Sequence, residues 1–468
     1  MEGKKLTGYE LAKPSHEGVS VLYHIAALLR VVQDGKSGCL AVILLSSSIL
    51  SHSAAAGGGY FTLGYGHIGQ QMAGAVTAVA GDVYAGASNP AKLTTAGNEL
   101  EIGVGFLNPN RKVKRAGATG DGAIYNFSST SRNPLYVVPD LAYSRQLDDT
   151  TAVGITIYAN GGLNSEYTTT TGIPGSSSNP EACGDKPGNF LTGCGHAGFD
   201  LSQLIFAPTI AWEIAPGHSI GVAPLVALQR FEAYGLQGFA ASSKYPNKLT
   251  NNGHELVFGA GARLGWYGEM TPWLSLGAAY ATKIYMQKFD RYQGLFAEGT
   301  FDIPANYSVG AAIKPDKNWI VALDVQRIEY GEVRAIANGV LNSLTPGGPL
   351  MGNPSGSGFG WSRNQTNYKL GVSYSASPQL TLRAGYDYGK RPNKDNLNAV
   401  SIGVITPNPV HRTSLGFSWK TEAGSELHLG YAHFFKDKYR GPSAIFPGAT
   451  ESQNPYVNIL NVAWSAKY

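Results

Sequence analysis

From about residue 98 to the last residue, apolar side chains return at every second position. A period of two marks extended strands with one apolar face. Leu100, Ile102, Val104 and Phe106 share one parity, and Glu99, Glu101, Gly103 and Gly105 the other. The pattern recurs in about fourteen segments: 98–108, 134–146, 151–161, 200–214, 218–230, 254–267, 272–286, 304–313, 318–329, 366–376, 379–389, 411–420, 425–436 and 455–468. The seventh reads Leu274, Leu276, Ala278, Tyr280, Thr282, Ile284 and Met286 on one face. The opposite parity carries Asp140, Glu213, Arg263, Lys283, Asp324, Lys369, Arg383, Asp387, Arg412 and Glu426.

Alternation suits a soluble sandwich and a membrane barrel equally; the connections separate them. They alternate between two to four residues, as at 147–149 or 377–378, and long stretches at 109–133, 162–199, 231–253, 287–303, 330–365, 390–410 and 437–454. Short periplasmic turns against long outer loops mark outer-membrane barrels. Charged residues make up only 15% of the chain, where a soluble surface uses about a quarter. After residue 57 no apolar run approaches the roughly 20 residues of a membrane helix. The fold class is all-β: a transmembrane antiparallel barrel of about fourteen strands, ending on the aromatic Tyr468.

The first 56 residues read as a leader. Leu40 to Leu50 is an apolar run preceded by Lys36, and Ala54 and Ala56 offer a small-residue cleavage site. Residues 1–36 are too long for an ordinary n-region. A start placed too far upstream is the preferred explanation, and an extended leader the alternative. The leader puts the mature chain in an oxidising compartment, where Cys183 and Cys194, eleven residues apart, are expected to form a disulfide. A metal site built on Cys183, Cys194 and His196 lacks a fourth ligand, and neither metal nor cofactor is expected. The basic run Arg111-Lys112-Val113-Lys114-Arg115 is too isolated for nucleic acid; it is read as a polar loop that meets acidic surface lipid, with lipopolysaccharide a partner.

Residues 57–97 do not alternate. They are rich in Gly and Ala and poor in charge. A barrel of fourteen strands is too wide for its own side chains to fill, so this segment is read as a hatch inside the lumen, with the barrel over 98–468. Gly64, Gly66 and Gly69 mimic a dinucleotide loop, but no βαβ unit surrounds them.

Several of these runs together resemble the outer-membrane transporters of long-chain fatty acids and aromatic hydrocarbons. The resemblance rests on Ala80-Gly81-Asp82, on Asn89-Pro90-Ala91 just before the first strand, and on the runs at 301–310, 319–326, 382–387, 411–416 and 429–433. It implies a fourteen-stranded barrel plugged by a hatch and carrying no energy source. Solute would bind a greasy groove between two outer loops, then a pocket inside, and leave sideways by a kinked third strand. Asn89, Pro90 and Ala91 are the hatch positions carried over.

The residues add candidates of their own. The outer connections hold Phe231, Leu236, Phe239, Tyr245 and Leu249, then Phe289, Tyr292, Leu295 and Phe296. Exposed apolar patches usually mark binding, so a capture groove is expected there; packing of the two loops against each other is the alternative. Pro139, with Pro208 and Pro224, falls inside a strand, and Gly161 and Gly162 follow Asn160 in the third. Proline cannot donate to a ladder, so a lateral gap is expected beside strand three, with ordinary bulges the alternative. Arg263, Lys283 and Arg383 are possible carboxylate contacts, or are paired across the lumen with the acidic residues there. The expected function is passive uptake of hydrophobic small molecules by a monomeric barrel in the outer membrane of a Gram-negative bacterium, inserted by the barrel-assembly machinery. No catalytic residue is expected. The alternatives are a hydrophilic porin, which needs no hatch, and an outer-membrane lipase, for which His433 lacks an obvious serine partner; His428 and His433, on one strand with opposite parity, cannot share a ligand.

Overall fold

The structure, a computed structural model, describes residues 59–132, 135–168, 183, 186–393, 409–443, 445–446 and 448–468. The apolar run and cleavage site read at 40–56 lie outside the described residues.

Fourteen antiparallel strands close into a barrel. They are β1 (Glu99–Asn110), β2 (Tyr136–Gln146), β3 (Thr151–Tyr167), β4 (Ala197–Ala215), β5 (His218–Tyr234), β6 (Glu255–Thr271), β7 (Leu274–Ala281), β8 (Asn306–Ile313), β9 (Trp319–Ile328), β10 (Gln365–Ser375), β11 (Leu380–Gly389), β12 (His411–Lys420), β13 (Ser425–Phe434) and β14 (Tyr456–Lys467). Closure comes from β14, which pairs with β13 and with β1, setting Val104 opposite Val462. A closed barrel leaves no sheet edge, which is what lets strands cross lipid.

The two parities go where a membrane barrel needs them. Phe258 is 54% exposed and Leu264 53%, while Arg263 between them is 4% exposed. A soluble sandwich would do the reverse. The apolar face therefore points outward along the wall, and the polar face points into a filled lumen. Trp212, Trp273, Trp319 and Trp419 stand exposed near the short turns, and Tyr285, Tyr307, Tyr368 and Tyr431 nearer the long loops. These are the two interfacial girdles of such a barrel.

One strand departs from its sequence reading. β7 ends at Ala281, and pairing with β6 resumes only at Tyr285–Met286. Across this break the parity flips. Ile284 and Met286, expected on the lipid face, are buried, and Tyr285 takes that face. An apolar residue suits the packed loop interior as well as it suits lipid, so alternation ran on through the break. β3 and β4 also extend beyond the expected 151–161 and 200–214. Pro139 lies opposite Val104, Pro208 opposite Ile155 and Pro224 opposite Ala262, so all three stay within strands.

Above the barrel's outer rim, 112–116, 127–130, 439–442 and 450–453 form a separate four-stranded sheet. Beside it Cys183 and Cys194 are joined in a disulfide with Cα atoms 5.7 Å apart.

Candidate functional site

Residues 59–98 sit against the inner wall and are tied to it from many sides. Asn89 caps the turn Pro90–Thr95, its Oδ1 accepting from Ala91 N, with Pro90 in the first position where no N–H is needed. Its Nδ2 donates to Thr77 O at 2.9 Å and to Trp266 O at 2.8 Å on β6. The wall gives way at this point. A Cβ on Gly265 would strike Asn89, and one on Gly221 would strike the backbone of Pro90 and Ala91. The three residues singled out from the sequence are thus seated in a notch made by two wall glycines.

Further anchors ring the segment. Asp324 on β9 accepts from Val76 N and Thr77 N at 3.0 and 2.8 Å. Ser414 on β12 accepts from Ala73 N at 2.9 Å. Arg263 donates to Gly86 O at 2.9 Å and Arg383 to Gln71 Oε1 at 3.1 Å. Lys92, fully buried, donates to Val76 O and Asp82. His67 lies 2.7 Å from Glu101 on β1, and its ring stacks on His428 of β13 with centroids 3.5 Å apart. Burial first, and the Arg383 guanidinium second, hold the His67 imidazole well below its ordinary pKa. The Glu101 carboxylate also accepts from His67 N at 3.0 Å.

The three proposed carboxylate contacts are not brought together. Arg263 and Arg383 serve the segment just described, and Arg383 also donates to Ser418 Oγ. Lys283 lies in the β7 break, donating to Glu332 O at 3.2 Å beside the Tyr285 ring. Arg412 on β12 and Asp387 on β11 form a buried ion pair at 2.9 Å.

The apolar loop residues do converge, and they converge into a solid. Phe231, Leu236, Leu249, Phe289, Tyr292 and Phe296 are all at most 3% exposed, and Phe239 is 8% exposed, within one cluster. Leu295 packs against its edge, and Tyr245 is the exposed member. From there rings continue inward. Phe296 meets Phe301 at 5.2 Å, Phe301 meets Phe359 at 5.4 Å, and Phe359 meets Trp361 at 5.8 Å. Trp361 meets Tyr330 at 5.4 Å, and Tyr330 meets Tyr60 at 5.5 Å and Phe61 at 5.9 Å. An aromatic column therefore runs from the outer loops to the start of the inner segment. Its lower half was missed in the sequence. Phe359-Gly360-Trp361, two large aromatics amid a Gly/Ser-rich loop, was the available signal.

The column ends beside an interruption in the wall. β2 and β3 pair from Gln146↔Ala152 up to Leu141↔Ile157, and no further pair joins these strands among the described residues. Above that point β3 bulges against β4 between Ala159 and Gly161 and turns inward. There Phe61 bridges Gly161: Thr62 N donates to Asn160 O at 3.0 Å, and Gly162 N to Tyr60 O at 3.3 Å. Gly161 has φ +154, and a Cβ on it would strike Tyr60 O. Higher still, Arg132 N donates to Glu166 O, and Tyr136 bonds Asn164, so the wall is rejoined. Pro139 lies on the β2 side of this window. A small cavity beside it, about 30 Å³, is lined by Thr62, Leu63, Leu107, Val138, Gly161 and Ile459, among others.

Comparison with known proteins follows the same lines. The model of a family described as "Outer membrane protein transport protein (OMPP1/FadL/TodX)" matches residues 47–182 and 188–441. No curated protein matches. Among solved structures, the P. putida toluene transporter TodX is 18% identical over 87% of this chain and 99% of its own, with a TM-score of 0.62. A Pseudomonas aeruginosa FadL homologue is 14% identical with the same coverage and TM-score. The Ralstonia pickettii toluene transporter TbuX is 15% identical over 87% and 99%, with a TM-score of 0.57. At these identities the likeness establishes a shared fold.

Proposed function

Because the matched residues cover most of its length, the chain belongs to the outer membrane protein transport family (OMPP1/FadL/TodX), and we propose that it admits hydrophobic small molecules passively. The family is one of transport channels in the Gram-negative outer membrane, not of enzymes, and this barrel is one of them. Its substrates in this reading are long-chain fatty acids or aromatic hydrocarbons. Two of the similar structures are toluene transporters, which favours the second class without deciding it.

The observation that carries the proposal is the aromatic column. A water-filled pore is useless to a greasy solute, since each methylene entering water costs roughly 0.8 kcal/mol. The column offers apolar contact at every step between the loops and the window beside β3. A solute that intercalates among the rings displaces Tyr60 and Phe61 at the inner end. Among the described residues, two main-chain hydrogen bonds tie 60–62 to β3, worth roughly 1 kcal/mol each. The anchors from Asp324, Ser414 and Trp266 hold the rest of the segment. The hatch therefore gates by a local shift of its first residues, and the solute leaves sideways through the window.

The test is uptake by cells in which this chain is the sole such channel. Phe239→Ser combined with Phe296→Ser is expected to lower uptake of labelled oleate or toluene at least several-fold, with the folded barrel still migrating as such on unheated gels. Unchanged uptake of both solutes would remove the loops from the path. Growth of a deletion strain on each carbon source would separate the two substrate classes.

A further inference from the structure

The register between β1 and β14 is taken up again above the barrel. Asn110 pairs with Tyr456, and three residues further on along each strand Val113 pairs with Gln453, then Ala116 with Thr450. The register is unchanged, so side-chain parity carries through from the barrel into the small outer sheet. The even positions of β1, which face outward as Ile102, Val104 and Phe106, continue as Lys112 and Lys114. On β14 the outward Leu460 and Val462 continue upward as Ser452 and Thr450.

The register of the outer sheet defines its two faces. One row sets Gly441, Glu451, Arg115 and Phe127 side by side, and this face is packed away. Arg115 and Glu451 are paired there at 2.5 Å, both side chains fully buried. Arg115 therefore leaves the basic run that the sequence presents as one cluster. The opposite face sets Arg440, Ser452, Lys114 and Ser128 in one row, with Lys112 beside Thr130 in the next. Lys112, Lys114 and Arg440 are exposed, and none has a carboxylate partner among the described residues. The face thus carries three cations interleaved with hydroxyls and no carboxylate of its own.

Its height is set by strand geometry. An apolar band about 25 Å tall takes about ten tilted residues at roughly 3.3 Å each. On β1 the outward apolar residues run from Leu100 to Phe106, and Asn108 and Asn110 follow them, level with Asn458 and Tyr456 of β14. Lys112 and Lys114 stand above this polar rim, on the side that faces lipid below. At this level outside an outer membrane lie the phosphates of lipopolysaccharide.

We propose that Lys112, Lys114 and Arg440 form a docking face for the phosphorylated inner sugars of lipopolysaccharide. The cations meet the phosphates as point charges, and Ser128, Thr130 and Ser452 donate to the same oxygens. This contact depends on the barrel's place in the outer membrane and not on what the barrel carries. The bound lipid would sit against β1 and β14 with its acyl chains on Val104 and Val462.

The test uses the purified full chain in zwitterionic detergent and fluorescent rough-type lipopolysaccharide. Lys112→Gln, Lys114→Gln and Arg440→Gln together should weaken binding roughly 100-fold, on the basis of three surface cations against an anionic lipid. A control triple of Lys244→Gln, Lys248→Gln and Lys288→Gln removes the same charge from other exposed loop positions and should leave binding near native. Lipopolysaccharide stripped of phosphate should bind native protein as weakly as the first triple binds the intact lipid, and inorganic phosphate should not compete. Native affinity in the first triple, equal losses in both triples, or full binding of the stripped lipid would each overturn the proposal. Gel migration of the folded barrel confirms that every variant compared is intact.

Discussion

Pro208 on β4 and Pro224 on β5 face each other in register across the wall, and the ladder is interrupted between Phe206↔Val226 and Ile210↔Val222. Neither ring nitrogen can donate. Pro208→Val with Pro224→Val returns both donors, each worth roughly 0.5–1.5 kcal/mol. The folded band should then survive to a higher temperature in gel-shift melting. A lower melting point would mean that the backbone at this spot is shaped to the prolines.

At Gly161 in β3 a side chain has no room against the inner segment's backbone. Gly161→Ala forces a Cβ onto Tyr60 O at φ +154, a strain of roughly 1–3 kcal/mol. The barrel should fold, while amide exchange at 60–62 rises and uptake changes with it. Native exchange at those amides would show that this contact is not what holds the segment.

The buried pair Arg115–Glu451 predicts an asymmetric outcome. Burial pushes the Glu451 carboxyl up and the Arg115 guanidinium down from their ordinary values, outweighing the attraction between them. Arg115→Met alone should loosen the outer sheet by roughly 3–5 kcal/mol, because it strands a buried carboxylate. Arg115→Met with Glu451→Leu should recover most of that loss. Protease resistance of the loops gives the comparison; a double variant as weak as the single one would contradict it.

His67 gives the inner segment a pH dependence. Its folded pKa lies well below the ordinary 6.5, so a loosened segment binds the proton more readily than the packed one. His67's contribution to the stability of the segment is fully present above 6.5 and is lost as pH falls below it, by up to tenfold in the equilibrium constant per pH unit. The opening constant at 66–72, read from amide exchange after division by the intrinsic rate, should therefore rise on acidification, and His67→Gln should flatten that profile. A profile unchanged by the substitution would assign the dependence to another group.

Much of the barrel was legible in the sequence, because lipid outside and polar packing inside impose a period of two on every strand. All fourteen segments reappear, with ends shifted by a few residues. The break at 282–284 was not legible, since Ile284 and Met286 satisfy the alternation while pointing inward. β3 was cut short because Asn160 to Gly162 reads as an end, whereas the chain bends there and continues. The column was half visible. Loop aromatics such as Phe289 and Phe296 lie close in sequence, but Tyr60, Tyr330 and Trp361 meet only after three distant segments fold together. The cationic outer face was seen as a run of five residues; which of them point outward is fixed only by the partner strands.

Were the aromatic column the route taken, as proposed, it would have a consequence for the cell that carries it. Along the proposed route, ions and small hydrophilic poisons meet rings that offer them no hydration. Many idle copies can then stand in the envelope without eroding its insulation. The same filling selects what gets in, because a visitor must replace ring contacts as good as those it breaks.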